Sequence, residues 1–145
     1  MVNYELVNLI VSSISTILAG IAILLYIIMW NKEKENANYD IFDTTYLDIL
    51  KTGMEYPKFR NPNYTKNYKN ESDENEIIRY ELYAFICWNF CETIIDKGDK
   101  ALFETWGVAI EVEKSLHETW FNAEENRNKF KDSFRDKINQ TNIYR

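Results

Sequence analysis

The chain has 145 residues and a net charge of −6, with Asp and Glu outnumbering Lys and Arg by 23 to 17. That length provides one domain with a proper core but not two. The acidic balance excludes a nucleic-acid binder that works by clustered Lys and Arg on phosphates, so direct nucleic-acid binding is not expected.

From Leu6 to Trp30 runs a stretch of 25 residues without a charge, mostly Ile, Leu, Val and Ala. As a helix rising about 1.5 Å per residue it is roughly 37 Å long, enough to cross a hydrocarbon core of about 30 Å with some tilt. A lone span has to satisfy its own backbone polar groups, which a helix does. A secretory signal opens on a basic stretch and carries a shorter apolar run. Met1-Val2-Asn3-Tyr4-Glu5 has no Lys or Arg, so residues 1–31 read as a retained anchor in the lipid bilayer. Lys32 and Lys34 follow the span, whereas only Glu5 precedes it. Positive flanks stay cytoplasmic, which places the N-terminus outside and the rest inside the cell (inner) membrane.

Asn8, Ser12, Ser15, Thr16, Ala19, Ile23, Tyr26 and Trp30 share one face of this helix at its natural period. Small and hydroxylated side chains let helices approach closely and hydrogen-bond across an interface, and Ser12, Thr16 and Gly20 have the small-xxx-small spacing. The stripe is expected to drive homo-oligomerisation and, in a narrower version, to line a pore. The bland alternative is that the hydroxyls bond back to their own helix carbonyls.

Residues 32–42 read as a polar linker. A helical domain over 43–140 follows, with a tail at 141–145. Asp43 is expected to N-cap a helix through Tyr46, Leu47, Ile49, Leu50 and Met54, closed by Pro57. Residues 57–75, with Pro62 and many Asn, read as a loop. Its basic half (Lys58, Arg60, Lys66, Lys69) interleaves Phe59, Tyr64 and Tyr68, residue types that meet anionic headgroups or nucleotides, but a solvated loop is the expectation. A long helix, about Glu74 to Lys97, ends at Gly98 as its C′ residue. It is apolar almost all round, which marks the centre of a bundle. A second helix, about Lys100 to Phe121, carries Leu102, Phe103, Trp106, Ile110, Leu116 and Trp120 on one stripe, and a last one, about Glu124 to Asn139, contributes Phe130, Phe134 and Ile138. The fold class is therefore all-α: an N-terminal transmembrane helix and a compact bundle of about four helices. With four Trp, ten Tyr and eight Phe in the chain, the core should be about half aromatic.

Cys87 and Cys91 sit four apart on one helix face, where they read as buried thiols rather than a disulfide. No second Cys pair completes a zinc site, so neither a metal nor another cofactor is expected. The matches to the glycosylation pattern at Asn63, Asn70 and Asn139 are chance ones in a cytoplasmic domain. Along one edge of the central helix, Asn89, Glu92, Thr93 and Asp96 form, with His117, a candidate polar network that fixes helix register. His117 with Glu113 and Glu92 is a weak candidate acid/base set. No nucleophile motif or Gly-rich phosphate loop accompanies it, which makes an enzyme the weaker reading.

The stretches Trp88-Asn89-x-x-Glu92-Thr93 and Leu116-His117-x-x-Trp120, within residues 40–140, resemble a group of prokaryotic proteins with one membrane helix and a small helical cytoplasmic domain. The layout is similar to that of the single-span accessory membrane proteins of type VI CRISPR systems. That resemblance implies a HEPN-like bundle and an oligomeric pore in phage defence, partnered by a cytoplasmic effector or a nucleic-acid-guided protein. HEPN nucleases carry an Arg about a turn ahead of the His. Here Lys114 precedes His117 and the nearest upstream Arg is Arg79, a departure that argues against the nuclease. The function expected is thus an oligomeric, membrane-perturbing single-pass protein. The alternatives are a membrane-tethered adaptor and a membrane-bound HEPN-like ribonuclease.

Overall fold

The computed structural model describes residues 4–138, the side chains of residues 35, 36 and 38 excepted. Every element among them is helical: α1 (Tyr4–Glu55), a 3-10 turn (Pro57–Arg60), α2 (Pro62–Glu71), α3 (Glu74–Lys97), α4 (Lys100–Asn122), α5 (Glu124–Arg127) and α6 (Asp132–Ile138). The chain divides into two compact units, residues 1–41 and 42–145. The last turns of α1, from Phe42, belong to the second.

The first unit is a stretch of α1 long and apolar enough to cross a membrane, and none of its most apolar window is buried. The hydroxyls of Ser13, Ser15 and Thr16 donate to the carbonyls of Leu9, Val11 and Ser12 at 2.8–2.9 Å. Those donors are satisfied one turn back inside the helix, as Ser and Thr do where water is scarce.

Three sequence expectations need correction. The linker over residues 32–42 is helical, and Asp43 lies inside α1 rather than capping it. Between Asn31 and Asp43 stand Lys, Glu and Ala, all good helix formers, and no Gly or Pro stops the run. The expected loop over 57–75 is the 3-10 turn and α2. Asn61 caps α2 by accepting from the Asn63 N–H at 2.9 Å, with Pro62 in the first turn. Its Tyr64, Thr65 and Tyr68 are buried, as is Phe59 of the turn, so these aromatics face the core and not a ligand or solvent. The last helix is broken into α5 and α6, and just ahead of α6 the Lys131 N–H donates to the Glu92 carboxylate at 2.9 Å. The expected end at Asn139 and the tail at 141–145 lie outside the described residues.

The two long helices follow the sequence closely. Asp73 caps α3 by accepting from the Glu76 N–H, and Gly98 ends it at φ 62°. Asp99 then caps α4 by accepting from Ala101 N–H. However, α3 is not buried all round. Tyr80, Ala84, Cys87, Cys91 and Ile94 point inward, while Ile78, Leu82, Phe85 and Ile86 form an exposed strip. More than half of the buried hydrophobic residues are aromatic. Trp88 of α3 stacks on Phe121 of α4 at 3.9 Å, and Phe134 of α6 closes edge-on against both rings. Such pairs add about 0.5–1.5 kcal/mol each beyond their burial.

Gly98 is the described residue with a left-handed backbone, a conformation that costs other L-residues roughly 1–2 kcal/mol. Gly98→Ala is expected to destabilise the domain by about 1 kcal/mol in urea or thermal denaturation without changing its helical circular dichroism.

Candidate functional site

The most unusual chemistry in the second unit is a buried cluster built from α3, α4 and the 3-10 turn. Glu113 and His117 lie one turn apart on α4 and are 1% and 0% exposed. His117 has φ −113° and ψ 17°, a local departure from helix. Its carbonyl accepts from the Trp88 indole N–H at 3.1 Å, an external donor that compensates the disturbed helix ladder. The imidazole is flanked by the rings of Tyr80 and Tyr83, with centroids 5.7 and 5.4 Å away. Nδ1 lies 3.1 Å from the Tyr80 hydroxyl. Nε2 has no hydrogen-bond partner: its nearest carboxylate oxygen, Glu113 Oε2, is 3.5 Å away, too long for a made hydrogen bond.

Glu113 is held instead by Arg60, whose Nη1 donates to both carboxylate oxygens at 2.6 and 2.7 Å. The same nitrogen donates to the Tyr83 hydroxyl at 3.4 Å, and that hydroxyl donates to the Ile49 carbonyl at 3.2 Å. Arg60 reaches this position over Gly53 of α1. A Cβ there would lie 2.9 Å from Arg60 Cγ and Cδ and 3.0 Å from the Tyr83 oxygen.

The charges follow from these contacts. Burial alone would raise the Glu113 pKa, but contacts to His117 and Arg60 outweigh it and hold the carboxylate below its ordinary range. Burial lowers the His117 pKa below its ordinary value of 6.5, only partly offset by Glu113. Burial would also lower Arg60, yet Glu113 more than compensates. The cluster thus holds a guanidinium, a carboxylate and a neutral imidazole. Burial raises the pKa values of Tyr80 and Tyr83, as it does for the Cys87 thiol. Cys87, Glu113 and His117 each place a donor atom within 4.8 Å of the others. Arg60, about a fifth exposed, is the cluster member that reaches an open groove of about 830 Å³, lined also by Phe103, Val108, Glu111, Val112 and Leu116.

The structure brings His117 to Glu113 but not to Glu92. Glu92 accepts from the Lys131 N–H and Asp96 pairs with the Lys131 ammonium. Asn89 and Thr93 are exposed and bonded to each other, Thr93 Oγ1 donating to the Asn89 carbonyl at 2.8 Å. This polar edge departs from the expected network because position 89 is two residues, roughly 200° of helix rotation, from the inward Cys87. Asn8, Ser12, Ser15, Thr16, Ala19, Ile23 and Tyr26 are all exposed along α1 of the first unit. Cys87 and Cys91 are buried free thiols. Arg79, the upstream arginine of the sequence reading, stacks over the Tyr56 ring at 4.9 Å. The arginine that matters is Arg60, hidden among loop-like residues. Its signals were the i, i+3, i+7 set Tyr80, Tyr83, Cys87 facing Glu113 and His117, and a glycine at 53 inside a helical run.

An acid/base pair needs access to substrate. His117 and Glu113 have none, and Arg60 occupies the carboxylate. Comparison with family models, curated proteins and solved structures finds no match.

Two outcomes follow from this geometry. At an open helix site Gly→Ala stabilises by about 1 kcal/mol. Gly53→Ala is expected to reverse that sign, lowering stability by about 1 kcal/mol in chemical denaturation, because Arg60 is pinned at its far end. The second outcome is pH-dependent. A His whose folded pKa lies below 6.5 takes up its proton in the unfolded chain first, so stability falls as pH drops below about 6.5. The Glu113 contribution is lost at lower pH, as pH falls through its depressed folded pKa. His117→Gln should flatten the decline just below pH 6.5 and leave the acidic limb in place. Melting with a chelator present, so that only protons compete for the ring, checks this.

Proposed function

We propose that this chain is a single-pass membrane protein whose α1 tethers a non-catalytic helical interaction domain to the cell membrane. The observation that carries the reading is the uncharged Leu6–Trp30 run on a helix whose most apolar window is wholly exposed. Each large apolar side chain left in water forfeits about 1.5–3 kcal/mol. A run of this length therefore calls for a lipid or protein cover worth tens of kcal/mol. Lys32 and Lys34 favour a cytoplasmic domain and an external N-terminus. In this reading the end of α1 with α2, α3 and α4 forms a four-helix bundle. The closed His117 cluster supports a binding role over a ribonuclease or hydrolase. The exposed strip of Ile78, Leu82, Phe85 and Ile86 supports a protein partner.

A second reading is an oligomeric pore in phage defence, favoured by the resemblance to type VI CRISPR accessory proteins and by Gly20. Among the described residues, its own helix backbone aside, nothing lies within 4 Å of a Gly20 Cβ position, so its missing side chain offers room to another helix in the Ser12, Thr16, Gly20 series. The back-bonded Ser15 and Thr16 hydroxyls weigh toward a plain anchor.

Alkaline carbonate extraction of membranes tests the tether: the chain should stay with the lipid, and release into the supernatant overturns it. Detergent-extracted particles and dye-loaded liposomes separate the two readings. A tether gives small particles and no leakage, and Gly20→Ile changes neither. A pore gives closed rings and leakage that Gly20→Ile reduces severalfold.

A further inference from the structure

We propose that Cys87, Glu113 and His117 form a zinc-class metal site that ties α3 to α4. The three donor atoms come from two helices, are all buried, and lie within 4.8 Å of one another. In a tetrahedral zinc site, bonds of about 2.0–2.3 Å set donor atoms roughly 3.3–3.8 Å apart.

An independent observation points the same way. His117 Nε2 is a fully buried polar atom without a hydrogen-bond partner, and it faces Glu113 Oε2 at 3.5 Å. Buried polar atoms are nearly always satisfied, and an orphan calls for an explanation. In the tautomer that donates Nδ1–H to the Tyr80 hydroxyl 3.1 Å away, Nε2 keeps a lone pair beside the Glu113 carboxylate. That is the arrangement of a ligating histidine, whose second nitrogen is held by a neighbour. Arg60 does the corresponding work for Glu113, fixing both carboxylate oxygens.

The donor set chooses the metal class. A thiolate, an imidazole and a carboxylate suit zinc and its borderline neighbours and disfavour calcium or magnesium. Charge is also accommodated: one thiolate and one carboxylate neutralise a divalent ion, leaving Arg60 as the net cation. Arg60 is the member with solvent contact, at the edge of the groove. Binding converts the Cys87 thiol and M²⁺ into a thiolate–metal bond and one released proton, with no change in oxidation state. A fourth position falls to a water or another small ligand, as in zinc sites with three protein ligands. The spacing of the two cysteines conceals this arrangement, because Cys91 is not part of the trio.

The full chain, purified in mild detergent without a polyhistidine tag and stripped by a chelator, is titrated with Zn(II) against a chromophoric chelator and with Co(II) as an optical probe. One equivalent should bind with release of one proton, and Co(II) should give a thiolate charge-transfer band in the near ultraviolet. Cys91→Ser should retain the band, Cys87→Ser should lose it, and Arg60→Met, which frees the Glu113 carboxylate from its guanidinium partner, should weaken Zn(II) binding roughly 10–100-fold. Absence of stoichiometric uptake by the unsubstituted chain overturns the site, as does a band that survives Cys87→Ser. Should Cys87→Ser fail to fold, X-ray absorption at the zinc edge of the unsubstituted chain decides: one sulfur with nitrogen and oxygen neighbours supports the site, and no sulfur overturns it.

Discussion

Glu113 is a carboxylate almost wholly removed from water, and the core around it is arranged to make that tolerable. An isolated buried charge costs several kcal/mol even after relaxation, and only a partner with good geometry offsets it. Arg60 supplies that partner from a segment 53 residues earlier in the chain. For it to arrive, the chain has to turn immediately after α1, which Pro57 and the 3-10 turn accomplish, and it has to cross α1 where there is no side chain, which Gly53 provides. The ion pair thereby ties the short stretch from Gly53 to Arg60 to a helix residue 53 positions beyond Arg60.

Around that pair the packing is aromatic, and its polar edges are used economically. The Tyr83 hydroxyl links Arg60 to the Ile49 carbonyl of α1. The Trp88 indole bonds the His117 carbonyl where α4 departs from regular helix, while its ring stacks on Phe121. Tyr83 and Trp88 therefore each fill volume and satisfy a backbone group of a neighbouring helix. The Trp88 bond specifies one register between α3 and α4 more sharply than apolar contact alone, since a slip would orphan a buried indole N–H and leave the His117 carbonyl without its external donor.

The first unit obeys different physics. Its helix needs no tertiary partner for its backbone, and its Ser13, Ser15 and Thr16 donors are closed within the same helix. What it leaves open is its apolar surface, none of whose most apolar window is buried. In the second unit His117, Glu113 and the two cysteines are enclosed instead of presented.

The sequence alone determined what depends on local order. The apolar run, the limits of α3 and α4, the Gly98 stop and the inward Phe130, Phe134 and Ile138 all follow from periodicity and capping chemistry over a few residues. Residues 57–75 and 32–42 were misread for the same reason in reverse. Asn and Pro mark a helix start as readily as a loop, and a polar run without Gly or Pro extends a helix as readily as it ends one. Only the tertiary structure decided that Arg60, rather than Arg79, meets Glu113, that His117 parts company with the Asn89–Asp96 edge, and that Cys87 joins Glu113 and His117. Those choices turn on helix rotation and on contacts across dozens of residues, where the gain in packing and charge neutralisation, not any local preference, selects the partner.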